Sequence, residues 1–281
     1  MRSYPALASL KIDQRARVVV VTIDHPPINL MDRTMIRDLR TLLGELRSDA
    51  DARCIVFRSA NPEFFISHLD LNLAAKGLDA PPTKPTKLSN LQALFEDYRR
   101  LDQATIAIVE GAMNGGGTEF CMSLDMRFAA IGRARIGQFE VALGCLPGAT
   151  GTQRLANIAG RARALELILG CDDIDAETAE RYGLVNRALD PDILQAFVEN
   201  LARRIASFPA AAIASAKQAV DAANPHPQDG LLEEAHLAAQ LMSRDETKRR
   251  FSRILAMGAQ TIDFERELAR RLLDLDEASE S

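Results

Sequence analysis

The chain has 281 residues, 47% of them hydrophobic and 26% charged, with a formal charge of −5. That length suits one large core with an appendage, and the acidic balance is not that of a general nucleic-acid binder, although a local basic patch can still hold a small anion. No apolar run approaches a membrane span, and the opening MRSYPALASLKIDQRA lacks the apolar stretch of a secretory leader, so the expected location is the cytoplasm, away from any membrane.

Cys54, Cys121, Cys145 and Cys171 lie far apart with no CxxC pair, as in a chain that keeps its thiols reduced. His25, His68, His226 and His236 are equally scattered, and no HExxH motif or His/Cys cluster predicts a metal.

The first clear pattern is the valine-rich ARVVVVTIDHP, a strand that stops at Pro26-Pro27. Met35, Ile36, Leu39, Leu42, Leu43 and Leu46 then recur at helical spacing, with Asp32 placed to cap the helix. ARCIVFRSA predicts a second strand, and NPEFFISHLDL a turn running into a short third one. Residues 72–87 carry little pattern and read as a surface loop. Leu91, Leu94, Phe95, Tyr98 and Leu101 mark a further helix, and ATIAIVEG a buried strand that lands directly on the glycines of GAMNGGGTEF.

Beyond the glycines, TEFCMSLDM predicts a helix, DMRFAAI a strand and LANIAGRARALELILG one helix. DAETAERYGLV predicts another, capped by Asp175 and closed at Gly183. From about residue 192 nearly every segment is helical. Strands interleaved with helices, then helices alone, specify an α/β core with a helical C-terminal region, divided here into residues 1–205 and 206–281. The apolar stripes of LLEEAHLAAQLM and TIDFERELARRLLDL require a partner, either their own core or another subunit.

Chemistry concentrates around the glycines. A strand that ends in glycine and enters a helix leaves N–H groups unpaired, and without a Cβ a ligand can approach them. Such an end can serve as an oxyanion hole or simply as a tight turn. The GxGxxG and Walker A spacings are both missing. Glu119, in the first turn of the predicted helix, can be a helix-end carboxylate or a general base. Glu140 stands among Phe139, Val141, Ala142 and Leu143, surroundings that raise a carboxyl pKa and suit a proton donor.

GAMNGGGTEF followed by GQFEVALGCLPGATGTQRL resembles the signature of the crotonase (enoyl-CoA hydratase/isomerase) family. The resemblance runs from about residue 10 to 220, through HPPINLMD with Asn29, FFISHLDL, ALELILGCDDIDAETAERYGLVNRAL, and FPAAAIASAKQAV with Pro209 and Lys217. It implies a spiral of stacked ββα turns whose C-terminal helices build a homotrimer or a hexamer of two trimers. It implies a lyase of fatty-acid metabolism acting on an acyl-CoA thioester, with no cofactor beyond the coenzyme A of the substrate. The residues matched to the oxyanion hole are Leu69 and Gly116, whose N–H groups would bind the thioester oxygen. Glu119 matches the base that activates water and Glu140 the acid that protonates the α-carbon. Ser67, His68, Asp70 and Gly115 flank these positions and are expected at the substrate.

The chain departs from that pattern in three places. Ser67-His68-Leu69 replaces Ala-Gly-Ala, which puts a titratable ring beside the thioester or in the turn. Phe139 replaces a proline before the second glutamate, with one extra residue between the glutamates. The tail SRDETKRRFSRILAMGAQTIDFEREL lacks the usual Ala-Phe and basic cluster, so the acyl preference is unassigned. Enoyl-CoA hydration is the leading expectation. An isomerase or thioester hydrolase on the same fold, and a non-catalytic acyl-CoA binder, are the alternatives. Lys76, Lys84 and Lys87 are candidate phosphate contacts or an ordinary solvated loop.

Overall fold

The computed structural model describes residues 2–80, 82–223 and 228–275. A hairpin of β1 (Leu10–Arg15) and β2 (Val18–Ile23) opens the chain, followed by α1 (Arg33–Arg47), whose first turn Asp32 caps by accepting from the Met35 N–H. The first of these strands carries only a weak alternating pattern and owes its place to antiparallel pairing with β2.

Three ββα turns then follow. The first holds β3 (Cys54–Ser59), β4 (Phe64–Ile66), α2 (Leu71–Ala74) and α3 (Asn90–Arg99). The second holds β5 (Ala104–Val109), β6 (Ala112–Met113) and α4 (Gly115–Met122). The third holds β7 (Met126–Ala130), β8 (Arg135–Ile136), a 3₁₀ turn at Glu140–Leu143, α5 (Gly151–Ala159) and α6 (Arg161–Gly170). Next come β9 (Ile174–Asp175), α7 (Ala176–Tyr182) and β10 (Arg187–Leu189), then α8 (Pro191–Ala206), α9 (Ala210–Ala223), α10 (Gln228–Met242), α11 (Asp245–Ala256), α12 (Ile262–Glu265) and α13 (Leu268–Leu273).

In each ββα turn the first strand joins a six-stranded sheet ordered β1-β2-β3-β5-β7-β10, parallel except at the β1–β2 hairpin. The second joins a four-stranded sheet, β4-β6-β8-β9. The central strands are buried on both faces, which is why they read as unbroken apolar runs. Val19, Val21 and Ile23 enter the main core, while Val18 and Val20 enter a second cluster with Leu194, Val198 and Ala202 of α8.

Several boundaries differ from expectation. The β5 strand stops at Val109, and the separate two-residue β6 intervenes before the glycines. The glycines themselves are helical, so Glu119 lies in the second turn of α4 rather than the first. LANIAGRARALELILG is two helices, because Gly160 at φ +79° breaks it. The two C-terminal stripes pack in part on this chain's own core, where Leu231 of α10 and Phe264, Leu268 and Leu272 are buried, while Leu237, Ile262 and Leu273 stay exposed. By contrast α9 contributes no buried residue. Cys54, Cys121, Cys145 and Cys171 are free thiols. No helix among the described residues is long and apolar enough to cross a membrane.

Candidate active site

The three glycines at the start of α4 have three different structural reasons. Gly115 sits at φ +45°, and a Cβ there would come 2.7 Å from Glu140 Oε1. A Cβ on Gly116 would stand 3.2 Å from the Leu69 Cβ and 3.4 Å from the Leu69 nitrogen. On Gly117 it would strike the Ile66 carbonyl oxygen at 2.1 Å. Glycine thus lets α4 lie directly on the β4–Leu69 segment. Phe120 anchors the helix from behind, with ring centroids 5.5 Å from Phe57, 5.6 Å from Phe95 and 5.2 Å from Tyr98. Such aromatic pairs are worth about 0.5–1.5 kcal/mol each beyond their burial.

Among the described residues, two backbone donors have no backbone partner where these segments meet. Leu69 bridges Met31 through its neighbours, with Met31 N–H donating to the His68 carbonyl at 2.9 Å and Asp70 N–H to the Met31 carbonyl at 3.1 Å. The Leu69 N–H therefore points away from the bridge, and among the described residues it has no backbone acceptor. Gly116 is the second residue of α4, where no intrahelical acceptor exists.

Both residues line a cavity of ≈ 410 Å³, together with Glu119, Glu140, His68 and Phe139. Its far wall is apolar, formed by Leu71, Leu91 and Phe251 and closed by Ala235, Ala238 and Ala239 of α10. A larger groove of ≈ 570 Å³ lies on the α8 side of the six-stranded sheet, lined by Arg15, Arg17, Val18 and Ala202, and contains neither glutamate.

Glu119 is 3% exposed. Its Oε1 accepts from the N–H groups of Ala149 at 2.8 Å and Gly151 at 2.7 Å, at the start of α5. The intervening N–H groups serve a third carboxylate. Glu234 of α10 accepts from Thr150 N–H at 2.7 Å and Thr152 N–H at 3.0 Å, and from the Thr152 hydroxyl. Thr150 adopts φ +108° to alternate them, an unusual conformation for a β-branched residue. Arg154 holds it there, donating to the Thr150 hydroxyl at 2.9 Å while paired with buried Glu96.

Burial raises the Glu119 carboxyl well above its ordinary range, with the charges of Glu140 and Glu234 adding to the rise and the two N–H donors opposing it. Glu140 opens the 3₁₀ turn and is pushed up to about 7, chiefly by burial, while its N–H contacts and His68 act in the opposite direction. With its amide nitrogen turned toward the carboxylate, buried Gln138 donates to Glu140 Oε2 at 2.9 Å. Two carboxyls with raised, interacting acid constants share protons as a pair. Cys145 also lines the cavity, but burial raises its thiol well above the ordinary value, which leaves it a poor nucleophile.

Of the eight residues singled out from the sequence, His68, Leu69, Gly116, Glu119 and Glu140 line the cavity, and Ser67, Asp70 and Gly115 do not. The Ser67 carbonyl accepts from Asn114 N–H at 2.8 Å, holding the start of α4 to the loop. Asp70 caps α2 through Asn72 N–H at 3.0 Å, and Gly115 packs behind Glu140. His68 is buried, and both ring nitrogens face protein acceptors: Nδ1 is 2.8 Å from the Leu69 carbonyl oxygen and Nε2 is 3.2 Å from Glu265 Oε1. Of the loop lysines, Lys84 pairs with Glu233.

No local signal marks Glu234, Glu265 or Gln138 as part of the site. The first two sit in amphipathic helices whose local pattern marks them as surface positions. The alternating nest at residues 149–152 had one available signal, the Gly-Ala-Thr-Gly run opening a helix.

Residues 13–260 match the family model described as enoyl-CoA hydratase/isomerase. The short-chain-enoyl-CoA hydratase of Clostridium acetobutylicum is 32% identical over 216 residues, covering 76% of this chain and 82% of that one. A crystal structure of a Streptomyces avermitilis protein, provisionally named an enoyl-CoA hydratase, superposes with a TM-score of 0.90 at 38% identity, covering 97% of this chain and all of that one. DspI of Pseudomonas aeruginosa superposes with a TM-score of 0.70 at 27% identity over 92% of this chain and 99% of its own. With its stacked ββα turns and matching sequence, the chain belongs to the enoyl-CoA hydratase/isomerase family.

Proposed function

We propose that the protein hydrates a 2-enoyl-CoA thioester to the 3-hydroxyacyl-CoA. The observation that carries this reading is a pair of raised carboxyls, Glu119 and Glu140, in one apolar cavity with the unpaired Leu69 and Gly116 N–H groups. The thioester oxygen takes both N–H donors, which polarises the conjugated double bond. Water held between the glutamates loses a proton to the ionised member as its oxygen bonds to the β-carbon. The π electrons move toward the thioester, forming an enolate whose oxygen stays on the two fixed N–H groups. The protonated member then delivers its proton to the α-carbon. One proton enters the pair and one leaves, so the site returns to its starting state. Glu119 takes the base role and Glu140 the acid role in the family pattern; their shared proton makes the pair the functional unit.

The apolar wall against α10 accepts the acyl chain and excludes bulk water, strengthening the dipoles that hold the enolate. Besides water, the acyl-CoA is the only small molecule this chemistry needs. The α9 helix, which packs on the core only through half-buried residues such as Ile213 and leaves Val220 70% exposed, supports association into the homotrimer or hexamer of two trimers expected from the family resemblance.

The test is crotonyl-CoA in ¹⁸O-labelled water, with the product analysed by mass spectrometry. Hydration places one label on the 3-hydroxyl. Label in a free carboxylate would indicate thioester hydrolysis, and an unlabelled shifted double bond would indicate isomerisation.

A further inference from the structure

His68 has no evident need to be a histidine if its only task is to make a turn. Its ring is 1% exposed and packs edge-on against Phe139, with centroids 5.2 Å apart. Nδ1 faces the Leu69 carbonyl and Nε2 faces Glu265 Oε1, whose side chain is 2% exposed. Nδ1 meets a carbonyl acceptor, and the Nε2 contact with the carboxylate is an ion-pair approach outside hydrogen-bond geometry. The doubly protonated ring is therefore the form that suits both neighbours, by a hydrogen bond on one side and by charge on the other. Burial opposes that charge, but the adjacent Glu265 more than offsets it and raises the His68 pKa. The Glu265 carboxyl is correspondingly lowered by His68 against the effect of its own burial.

The contact reaches across the whole chain. Glu265 Oε1 also accepts from Gln260 N–H at 2.8 Å, while Gln260 Nε2 donates to Asp70 Oδ1 at 2.8 Å. The Gln260 side-chain oxygen accepts from Asn72 Nδ2 at 2.9 Å. Two straps thus fasten the loop that carries Leu69 to the C-terminal segment. The charged groups bearing on the ring are Glu265 from α12 and Glu140 from the 3₁₀ turn. Asp70, on its own loop, is engaged by Gln260 and Asn72, and Asp173 bears on Glu265 while held by Asn114 at 2.7 Å.

We propose that the buried His68–Glu265 pair is a positioning device, which fixes the Leu69 N–H against Gly116 and keeps a positive charge beside Glu140. The pair acts through Leu69 and Glu140 rather than on the substrate. Its effect on turnover rests on the hydratase reading; its effect on the loop does not.

The experiment compares the full-length native protein with Glu265→Gln and Gln260→Ala, each first shown to be folded by circular dichroism. Glu265→Gln removes the counter-charge at constant shape, and Gln260→Ala cuts only the outer strap. For Glu265→Gln, kcat on crotonyl-CoA is expected to fall about 10–100-fold with a smaller change in KM, as for a misplaced donor. The limb of the pH–kcat profile governed by Glu140 should move to higher pH, because the ring that opposes its rise has lost its charge. Gln260→Ala should lower kcat without moving that limb. Amide exchange of the peptide spanning residues 67–70 should quicken at least about 10-fold in Glu265→Gln while β5 is unchanged. A folded Glu265→Gln protein with native exchange at residues 67–70, or with an unmoved limb, overturns the proposal. Because exchange needs no substrate, native protein inactive on crotonyl-CoA with quickened exchange in the variant sinks the hydratase reading and supports the loop-fixing role.

Discussion

Gly116 and Leu69 approach so closely that a single methyl on Gly116 would stand 3.2 Å from the Leu69 Cβ. Their neighbour Gly117 is tighter still against Ile66, where the obstruction is a backbone oxygen at 2.1 Å. The consequences of adding a methyl at the two positions should therefore separate. Gly116→Ala is expected to fold and to lose about 10–100-fold in kcat, because the Leu69 donor must shift by a few tenths of an ångström. Gly117→Ala is expected to lose soluble folded protein, because α4 can no longer seat on β4. Expression, melting temperature and turnover of both variants check this; equal behaviour would contradict it.

Glu119 connects activity to stability. Its folded pKa lies well above 4.5, through burial first and the charges of Glu140 and Glu234 second. A carboxyl raised in this way favours the fold fully below its unfolded pKa. That contribution is lost as pH rises from there through the folded value. Glu119→Gln keeps an acceptor for Ala149 and Gly151 without the buried charge. It should melt roughly 2–4 °C above the native protein at pH 8 and level with it at pH 4. Melting curves at the two pH values decide; a variant less stable at pH 8 would be contrary to this assignment.

Glu234 should act on Glu119 without touching substrate. Its charge raises the Glu119 carboxyl, so Glu234→Gln should move the Glu119-governed limb of the pH profile to lower pH. That is opposite in direction to the limb shift expected for Glu265→Gln, where a positive neighbour is lost. The carboxylate meets the Thr150 and Thr152 N–H groups with different oxygens, so the amide keeps an acceptor for only one of them, and melting curves recorded beside the profile separate that loss from the charge effect. A pH–rate profile that does not move would show the two carboxylates to be uncoupled.

The alanine face of α10 sets the room available to the acyl chain. Ala238 already lies 3.0 Å from where a Cβ on Gly148 would be. Ala238→Leu should raise KM for an eight-carbon enoyl-CoA by about 10-fold or more relative to crotonyl-CoA, since the added atoms must overpack the wall. Unchanged relative KM values would place the chain elsewhere.

Much of this architecture was visible in the chain because its signals are local. The valines of β2, the leucines of α1, the Asp32 cap and the Asp175 and Gly183 ends each act within a few residues. The β6, β8 and β9 strands have two residues each, too few for any periodicity, and exist only because neighbouring strands pair with them. Gly160 was hidden inside an apolar repeat that continues on both sides. Glu119 and Glu140 could be named from their motifs, but their common cavity arises from the β4–α4 approach and the 3₁₀ turn. The Thr150 and Thr152 partners of Glu234 lie 84 and 82 residues away, and the His68 partner of Glu265 about 200, beyond any sequence window.

The most direct measurement is the loss of ultraviolet absorbance from crotonyl-CoA, followed for the native protein, Glu119→Gln and Glu140→Gln, with acyl-CoA binding measured by calorimetry on each. Native turnover, with each variant about 10²–10⁴-fold slower and binding retained, is the predicted result for a working carboxylate pair. A native protein that binds the thioester and leaves its absorbance intact would contradict it.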